Sequence, residues 1–572
     1  NLFEEEFFTG YNNERIRLSE EVILKNLQAV QRRSLLEPSK KLEGHYNLTI
    51  EMETGVGKTY TYIKTMYELN KRYGWSKFIV VVPSIAIREG VFKAFELTCD
   101  HFTEDYGKKI RYFIYNSANL TRIDQFASDS AINAMIINSQ AFNAKGKDAR
   151  RIYMELDSFR SRAPMDVIAA TRPILIIDEP QSVEGKTTKE KLKNFNPLMT
   201  LRYSATHRRD SIYNMVYRLD AMEAYNKRLV KKIAVKGITF SGTTGTECYL
   251  YLERINLSKG APTATLEYEI KFTQGVKKVS RVVTEGYNLY ENSNGLEQYK
   301  GYAISRIDGL KNEVELSNGI VLRVGEGRGS ENNHAHTRRI QIRETIQSHL
   351  ERERLLYPKG IKVLTLFFID EVAKYKQYDA SGHALNGEYA DIFEEEYREA
   401  VNTCNATLEN SAYKEYLNKI AADSTHAGYF SIDKKTNRII DSEIKDKTER
   451  TSDDADAYDL IMKDKERLLD LKEPVRFIFS HSALREGWDN PNVFQICTLK
   501  QSGSEVRKRQ EVGRGLRLCV NNQGERMDAT TLGGDVHRIN TLTVIASESY
   551  DEFVRKLQTE IAEVVSDRPR EV

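Results

Sequence analysis

Cysteine is scarce and dispersed in this chain. The five in 572 residues, Cys99, Cys248, Cys404, Cys497 and Cys519, make no C-x-x-C pair and no zinc-type spacing. That argues against a disulfide framework and fits a reducing cytoplasm, bacterial or archaeal. Long apolar runs are missing too: no stretch approaches the ~20 residues that cross a bilayer, so no membrane segment is expected. No secretory signal pattern is found. Net charge is small, since 85 Lys and Arg against 83 Asp and Glu leave +2. Any contact with a polyanion must then come from local basic clusters, not from a generally basic chain. Prolines number only 11 and the hydrophobic fraction is 40%, as in a globular protein. The length exceeds one core and suggests roughly three or four domains. The chain opens at Asn1 without an initiator Met, so residues are expected to be missing at its ends.

What is present first is a rhythm. Strand-like runs at 48–50, 78–82, 135–138, 174–177 and 201–203 alternate with helical patterns from Lys58 and Ile87. Strand–helix alternation predicts α/β architecture around a parallel sheet. From about 234 the rhythm becomes short alternating runs such as TATLEYEIKF and NEVELSNGIVLRV between Gly, Asn and Ser turns, which predicts a β-rich insertion. A second α/β unit starts near Thr337 with RRIQIRETIQSHLERERLL and VLTLFF, and resumes with VRFIFS, FQICTL and INTLTVIA before a closing helix at 550–565. The expected division is a first unit at 1–233, an insertion at 234–330, and a second unit at 331–572 broken by a mainly helical insertion at about 371–470.

The chemistry-bearing residues lie at the joints of this rhythm. Thr54, Gly55, Val56, Gly57, Lys58 and Thr59 follow the run at 48–50 and open a helix. Glycines there let backbone N–H groups face inward as an anion nest at a helix N-terminus. Lys58 would reach the β- and γ-phosphates of ATP, and the Thr59 hydroxyl would bind Mg2+. The pattern expects Gly where Met52 stands, and a plain glycine turn beside a surface lysine is the bland alternative. In RPILIIDEPQS, Asp178 would hold Mg2+ through water and Glu179 would orient and deprotonate the attacking water. Alone, that pair would read as a solvated strand end. In LRYSATHRRD, Ser204 and Thr206 would sense the γ-phosphate and couple it to the second unit, or merely form a strand-to-loop turn. Gly487 and Asp489 lie in SALREGWDNPN, a further block facing the nucleotide. In SEVRKRQEVGRGLRL, Ser502 and Glu505 read as a capping box, predicting a helix with Gln510, Arg514 and Arg517 on one face at i, i+4 and i+7. Two arginines on one face can act as fingers on a phosphate held by another domain.

Together these blocks resemble the motor of helicase superfamily 2. DEPQ in place of a DEAD box, the stretch IQIRETIQSHLERERLL and FIFSHSALREGWDNPNVFQICTLKQSGSEVRKRQEVGRGLRL look like the Res subunit of type III restriction-modification enzymes. The resemblance implies two RecA-like domains closing on ATP and Mg2+, movement on double-stranded DNA, a site-recognising Mod methyltransferase partner, and a C-terminal P-D…D/E-x-K nuclease. Only SDRPREV follows Val565, so that nuclease is expected to be absent from this chain. Asp433, Glu443 and Lys445 imitate its spacing within a polar hairpin. Gln28 and Gln31 could be the adenine-reading glutamine by position only. His334 and His336 read as loop. Basic clusters at Arg208/Arg209, Lys227/Arg228/Lys231/Lys232, Arg338/Arg339 and Arg507–509 would suit phosphate tracking without base readout. A type I restriction translocase, a general DNA or RNA helicase, and a catalytically silent nucleotide-gated scaffold are the alternatives. Intact Lys58, Glu179 and Arg514 favour an enzyme.

Overall fold

A computed structural model describes residues 10–44, 46–143, 151–156, 159, 161–183, 185–205, 207, 212–241, 248–258, 260–329, 334–379, 383–407, 411–432, 439–440, 466–481, 490–499 and 511–546. Seven parallel strands form the first sheet. They run across it as Arg111–Ile114, Asn133–Asn138, Lys77–Val82, Ile174–Asp178, Met199–Ser204, Asn47–Met52 and Asn214–Leu219. Three inner strands, Asn133–Asn138, Lys77–Val82 and Ile174–Asp178, are buried along their whole length and mostly apolar, because helices cover both faces and leave no residue a solvent side. Along Lys77–Val82 the pleat sends Phe78, Val80 and Val82 into one core and Ile79 and Val81 into the other. The first core is closed by helices Lys58–Tyr73, through Tyr62, Ile63, Met66 and Tyr67, and Ile85–Tyr106, through Phe95 and Phe102. The i, i+4 pairs Tyr62/Met66 and Ile63/Tyr67 form the single buried stripe expected of a helix lying on a sheet.

A second parallel sheet has six strands, in the order His426–Tyr429, Phe477–Ser480, Leu364–Phe368, Val493–Thr498, Thr541–Ala546 and Lys232–Gly237. Alternation again divides two cores, Leu364, Leu366 and Phe368 facing one and Phe367 and Ile369 the other. Helices His334–Leu356 and Glu388–Thr407 cover the latter face. The architecture is therefore α/β with two parallel sheets, as the rhythm of the sequence predicts.

Between them lies an antiparallel region. A five-stranded sheet contains the long hairpin Thr263–Phe272/Gly275–Val283, and a three-stranded sheet of Ile304–Asp308, Glu313–Leu316 and Val321–Arg323 shares its core. Arg343, on helix His334–Leu356, ties this region to the second unit by donating to Glu267 at 2.5 Å and lying 3.6 Å from Glu253.

Three details differ from the sequence reading. Lys232–Gly237 straddles the boundary drawn at 233, and by pairing with Thr541–Ala546 it is an edge strand of the second sheet. The stretch 371–470, expected to be a mainly helical insertion, contains helices Glu388–Thr407 and Ala412–Asn418 and also supplies the opposite edge strand of the second sheet, His426–Tyr429. Strands Arg111–Ile114 and Asn214–Leu219 carry too little apolar alternation to be read from sequence, and both are sheet edges. The predicted closing helix at 550–565 lies outside the described residues. Among the described residues no helix is long and apolar enough to cross a membrane.

Candidate functional site

Three neighbouring strands of the first sheet bring their C-terminal ends together. Asn47–Met52 runs beside Met199–Ser204, which runs beside Ile174–Asp178, so the loop after Met52, Ser204 and the pair Asp178/Glu179 share one edge of the sheet. This is the edge at which parallel α/β sheets bind ligands. Gly55 (φ 85°) and Gly57 (φ 98°) take left-handed conformations that cost a side chain-bearing residue energy, and Gly57 then starts helix Lys58–Tyr73. The Thr54 N–H is occupied by the Glu53 carboxylate at 2.7 Å.

Lys58 makes an ion pair with Glu179. Burial acts to lower the lysine, but Glu179 and Asp178 outweigh it and hold the ammonium above its ordinary range. Glu179 itself has φ 54°, a left-handed backbone, and its N–H bonds the carbonyl of Tyr203 at 3.0 Å. That turn aims its carboxylate back across the strand ends. Gln181 donates to Glu179 Oε2 at 2.5 Å, and the Ser204 hydroxyl lies 2.9 Å from both Glu179 Oε2 and Gln181 Oε1. Burial would raise the Glu179 carboxyl, but Lys58 and these hydrogen bonds keep it below the usual range. Asp178 goes the other way. Burial pushes it up to about 6, with Lys58 opposing and Glu179 adding to the rise. The Tyr62 hydroxyl donates to Asp178 Oδ2 at 3.4 Å and is also hydrogen-bonded with Thr59. Thr59 and Asp178 are thereby neighbours, a hydroxyl and an undercompensated carboxylate, which is a donor set fit for Mg2+ completed by water and phosphate oxygens.

The second unit reaches over this loop. A Cβ on Gly55 would meet Arg517 Cγ at 2.9 Å and its backbone N at 3.3 Å, and a Cβ on Gly513 would meet the Thr54 side chain at 3.4 Å. Val56 packs against the core that holds Leu516 and Leu542. The predicted single helical face is corrected here: the helical stretch ends at Gly513, 514–516 continue as tight turns with i to i+3 bonds, and Arg517 bridges Val230. Two glycines in three residues weaken the helix, and Gly515 has no room for a Cβ, which would lie 2.5 Å from Leu542. Arg514 is buried at 7% exposure.

Gln31 is committed elsewhere, donating to Ser39 and to the Met215 carbonyl at 2.8 Å each, and Gln28 donates to the Ser39 carbonyl at 2.9 Å. Lys231 is buried, so it leaves the basic cluster in which the sequence grouped it. Arg339 is engaged by Glu395 and Glu396. Thr206, Gly487, Asp489, Gln510, Arg208, Arg209, Arg507–509, Asp433, Glu443 and Lys445 lie outside the described residues, as do the side chains of His334 and His336. Two participants were missed in the sequence. Gln181 stands in plain view in DEPQ, but its contact with Ser204 needs the strand pairing; Tyr62 reads as a core aromatic.

The family model described as Type III restriction enzyme, res subunit, matches residues 16–209. The EcoP15I Res subunit of Escherichia coli is 35% identical over 536 residues, covering 89% of this chain and 51% of that protein. The StyLTI Res subunit of Salmonella typhimurium is 29% identical over 544 residues, covering 84% of this chain and 50% of its own. Among solved structures, the Mycobacterium smegmatis helicase Lhr bound to ssDNA and AMP-PNP aligns at TM-score 0.38 and 10% identity, over 91% of this chain and 46% of that one. The chain spans about half the length of the curated relatives it matches. By its 35% identity across 89% of its residues, it belongs to the Res-subunit family of type III restriction-modification enzymes.

Proposed function

We propose that this chain is the ATP-driven DNA motor of a type III restriction-modification complex. The observation that carries the reading is the meeting of Lys58, Asp178 and Glu179 at adjacent strand ends, beneath residues 513–517 of the second unit. Lys58 would exchange Glu179 for the β- and γ-phosphates of ATP, neutralising charge that develops as the terminal phosphoryl group leaves. That exchange frees Glu179 Oε1 to accept a proton from the attacking water while Gln181 and Ser204 hold Oε2 in place. Lys58 keeps the Glu179 carboxyl below the usual range before nucleotide binds, and the hydrogen bonds from Gln181 and Ser204, which outlast the exchange, continue to favour the ionised form that a base requires. The water oxygen bonds to the γ-phosphorus, the bond to the bridging oxygen breaks, and ADP departs. Thr59 and Asp178 would hold Mg2+, which supplies charge neutralisation between the phosphates. Arg514 and Arg517 would approach the same phosphates from the second unit, with Gln510 alongside. Gly487 and Asp489 would also bind the nucleotide, and Ser204 with Thr206 would report the γ-phosphate to the second unit.

Double-stranded DNA is the proposed track and a Mod methyltransferase the proposed partner that chooses the site. The relatives are Res subunits of restriction-modification enzymes, which supports that assignment. The test is ATP turnover with Mg2+, with and without DNA and with and without Mod. DNA should stimulate turnover, and adding Mod should make it depend on a recognition sequence. Turnover indifferent to both would contradict the reading.

A further inference from the structure

Lys231 is 1% exposed, yet it carries an amine into the interior. Its Nζ donates to the backbone carbonyls of Pro491, at 2.5 Å, and of Arg517, and lies 4.7 Å from the centre of the Phe494 ring. Its own backbone N–H donates to the Leu516 carbonyl at 2.8 Å, and Val230 pairs with Arg517 in an antiparallel bridge. The stretch 230–231 thus grips 516–517 by backbone and side chain together. The other end of the grip is the turn at Pro491, which opens strand Val493–Thr498. Arg517 is also the residue whose backbone crowds Gly55 on the phosphate loop. Burial pulls the Lys231 ammonium down to about 7; the Cys519 thiol opposes that, and Arg517 and Arg352 add to it. A lysine buried at such cost adds little stability that an apolar side chain of equal length would not supply. An apolar chain could not join two carbonyls from separate segments.

We propose that Lys231 is a positioning residue for the arginine segment, locking the Arg517 backbone to the Pro491 turn so that residues 513–517 keep their place against Thr54 and Gly55. The inference rests on reading that site as an ATPase. It assigns a role to a connector residue that touches neither phosphate loop nor acidic pair. Lys362 provides an internal control. It too is fully buried, its Nζ donates to the carbonyls of Asp470 (2.8 Å) and Glu473 (2.5 Å), and burial brings it to about 7, but it joins neither nucleotide-facing segment.

The experiment compares Lys231→Met, Lys231→Gln and Lys362→Met with the unaltered chain. Two readouts are used: steady-state ATP hydrolysis split into kcat and KM, and hydrogen exchange of the amides at 513–517. For Lys231→Met the expected result is a kcat lowered at least ~10-fold with KM changed less than ~3-fold, the signature of an interaction used in the transition state. Exchange at 513–517 should quicken. Lys231→Gln, which keeps N–H donors on a shorter stem, should fall between, and serves if the methionine variant does not fold. Lys362→Met should change neither readout at the site. Combined with Arg517→Ala, Lys231→Met should add less than its loss in the unaltered chain, since part of its effect runs through the Arg517 side chain. Unchanged exchange at 513–517 in a folded Lys231 variant, or a kcat loss matched by Lys362→Met, would overturn the proposal. Absence of ATP hydrolysis by the unaltered chain would instead refute the ATPase reading, and the exchange measurement would still decide the role of Lys231.

Discussion

Gly55 answers to two constraints at once. Its φ of 85° lies where a β-carbon is disfavoured by about 1–2 kcal/mol, and a β-carbon would run into Arg517 Cγ at 2.9 Å and backbone N at 3.3 Å. The side-chain atom can swing away, but the backbone cannot without pulling on the Val230 bridge. Gly55→Ala should therefore lower ATP turnover at least ~10-fold through the approach of the second unit, with a smaller effect on overall stability. Turnover and thermal melts measured together check this; normal turnover in the variant would contradict it. By contrast, a β-carbon at Gly513 meets only the Thr54 side chain at 3.4 Å, which can yield. At this scale the sequence was most legible. Gly55, Gly57, Lys58, Asp178 and Glu179 stand in short local patterns whose chemistry needs no knowledge of the fold. Gln181 was not legible, because its place beside Ser204 depends on strands separated by 20 residues or more of chain pairing at Asp178↔Tyr203.

Elements were legible where periodicity was strong and misjudged where glycine or edge position intervened. The capping box and charge spacing suggested one long helix carrying three functional side chains; Gly513 and Gly515 end it, and the two arginines are held in different ways. Arg514 is buried in a turn, while Arg517 is fixed by its backbone to Val230. Their alanine variants should accordingly be unequal, with one losing ~10³-fold in kcat as an arginine finger and the other less, while nucleotide affinity changes little in either. Equal and mild losses would return both to the status of basic surface. Within the second unit, helix His334–Leu356 is joined to Arg476, the residue that precedes strand Phe477–Ser480, by its ion pair with Glu353, both side chains fully buried. Burial would raise the Glu353 carboxyl, but Arg476, followed by His349, holds it at about 2 against an ordinary 4.5. A folded pKa below the unfolded one gives stability that is complete above 4.5 and lost as pH falls toward 2. The shift corresponds to about 3 kcal/mol. Burial lowers His349, so its protonation in acid opposes folding as well. The protection of amides in helix His334–Leu356, exchange measured relative to the unfolded chain at the same pH, should fall steeply below pH 4.5. Glu353→Gln should be destabilised by about 3–5 kcal/mol at neutral pH, because Arg476 loses its partner, and should show a flatter acid response. An unchanged acid slope would contradict the role given to the pair.

At the scale of the molecule, the two-sheet plan followed from the order of strand and helix patterns, but the limits of each unit did not. Strand Lys232–Gly237 pairs with Thr541–Ala546 across some 300 residues, a register no local signal announces. The chain leaves the first sheet, contributes one edge strand to the second, builds the antiparallel region and returns. Residues 230–237 therefore bind the two units mechanically as well as covalently, with Lys231 beneath Arg517 and Val56, in the loop after Met52, packed into the second unit's core. Closure on a nucleotide would thus be transmitted through contacts already in place. On the proposed function, hydrolysis occurs at the seam these contacts define, with Glu179 as its base. The most direct measurement is the comparison of Glu179→Gln with the unaltered chain for nucleotide affinity and for DNA-stimulated ATP hydrolysis under the same conditions. Affinity should be retained within a few-fold and hydrolysis lowered by ~10²-fold or more. Unimpaired hydrolysis in Glu179→Gln, or loss of nucleotide binding in step with activity, would contradict Glu179 as the base.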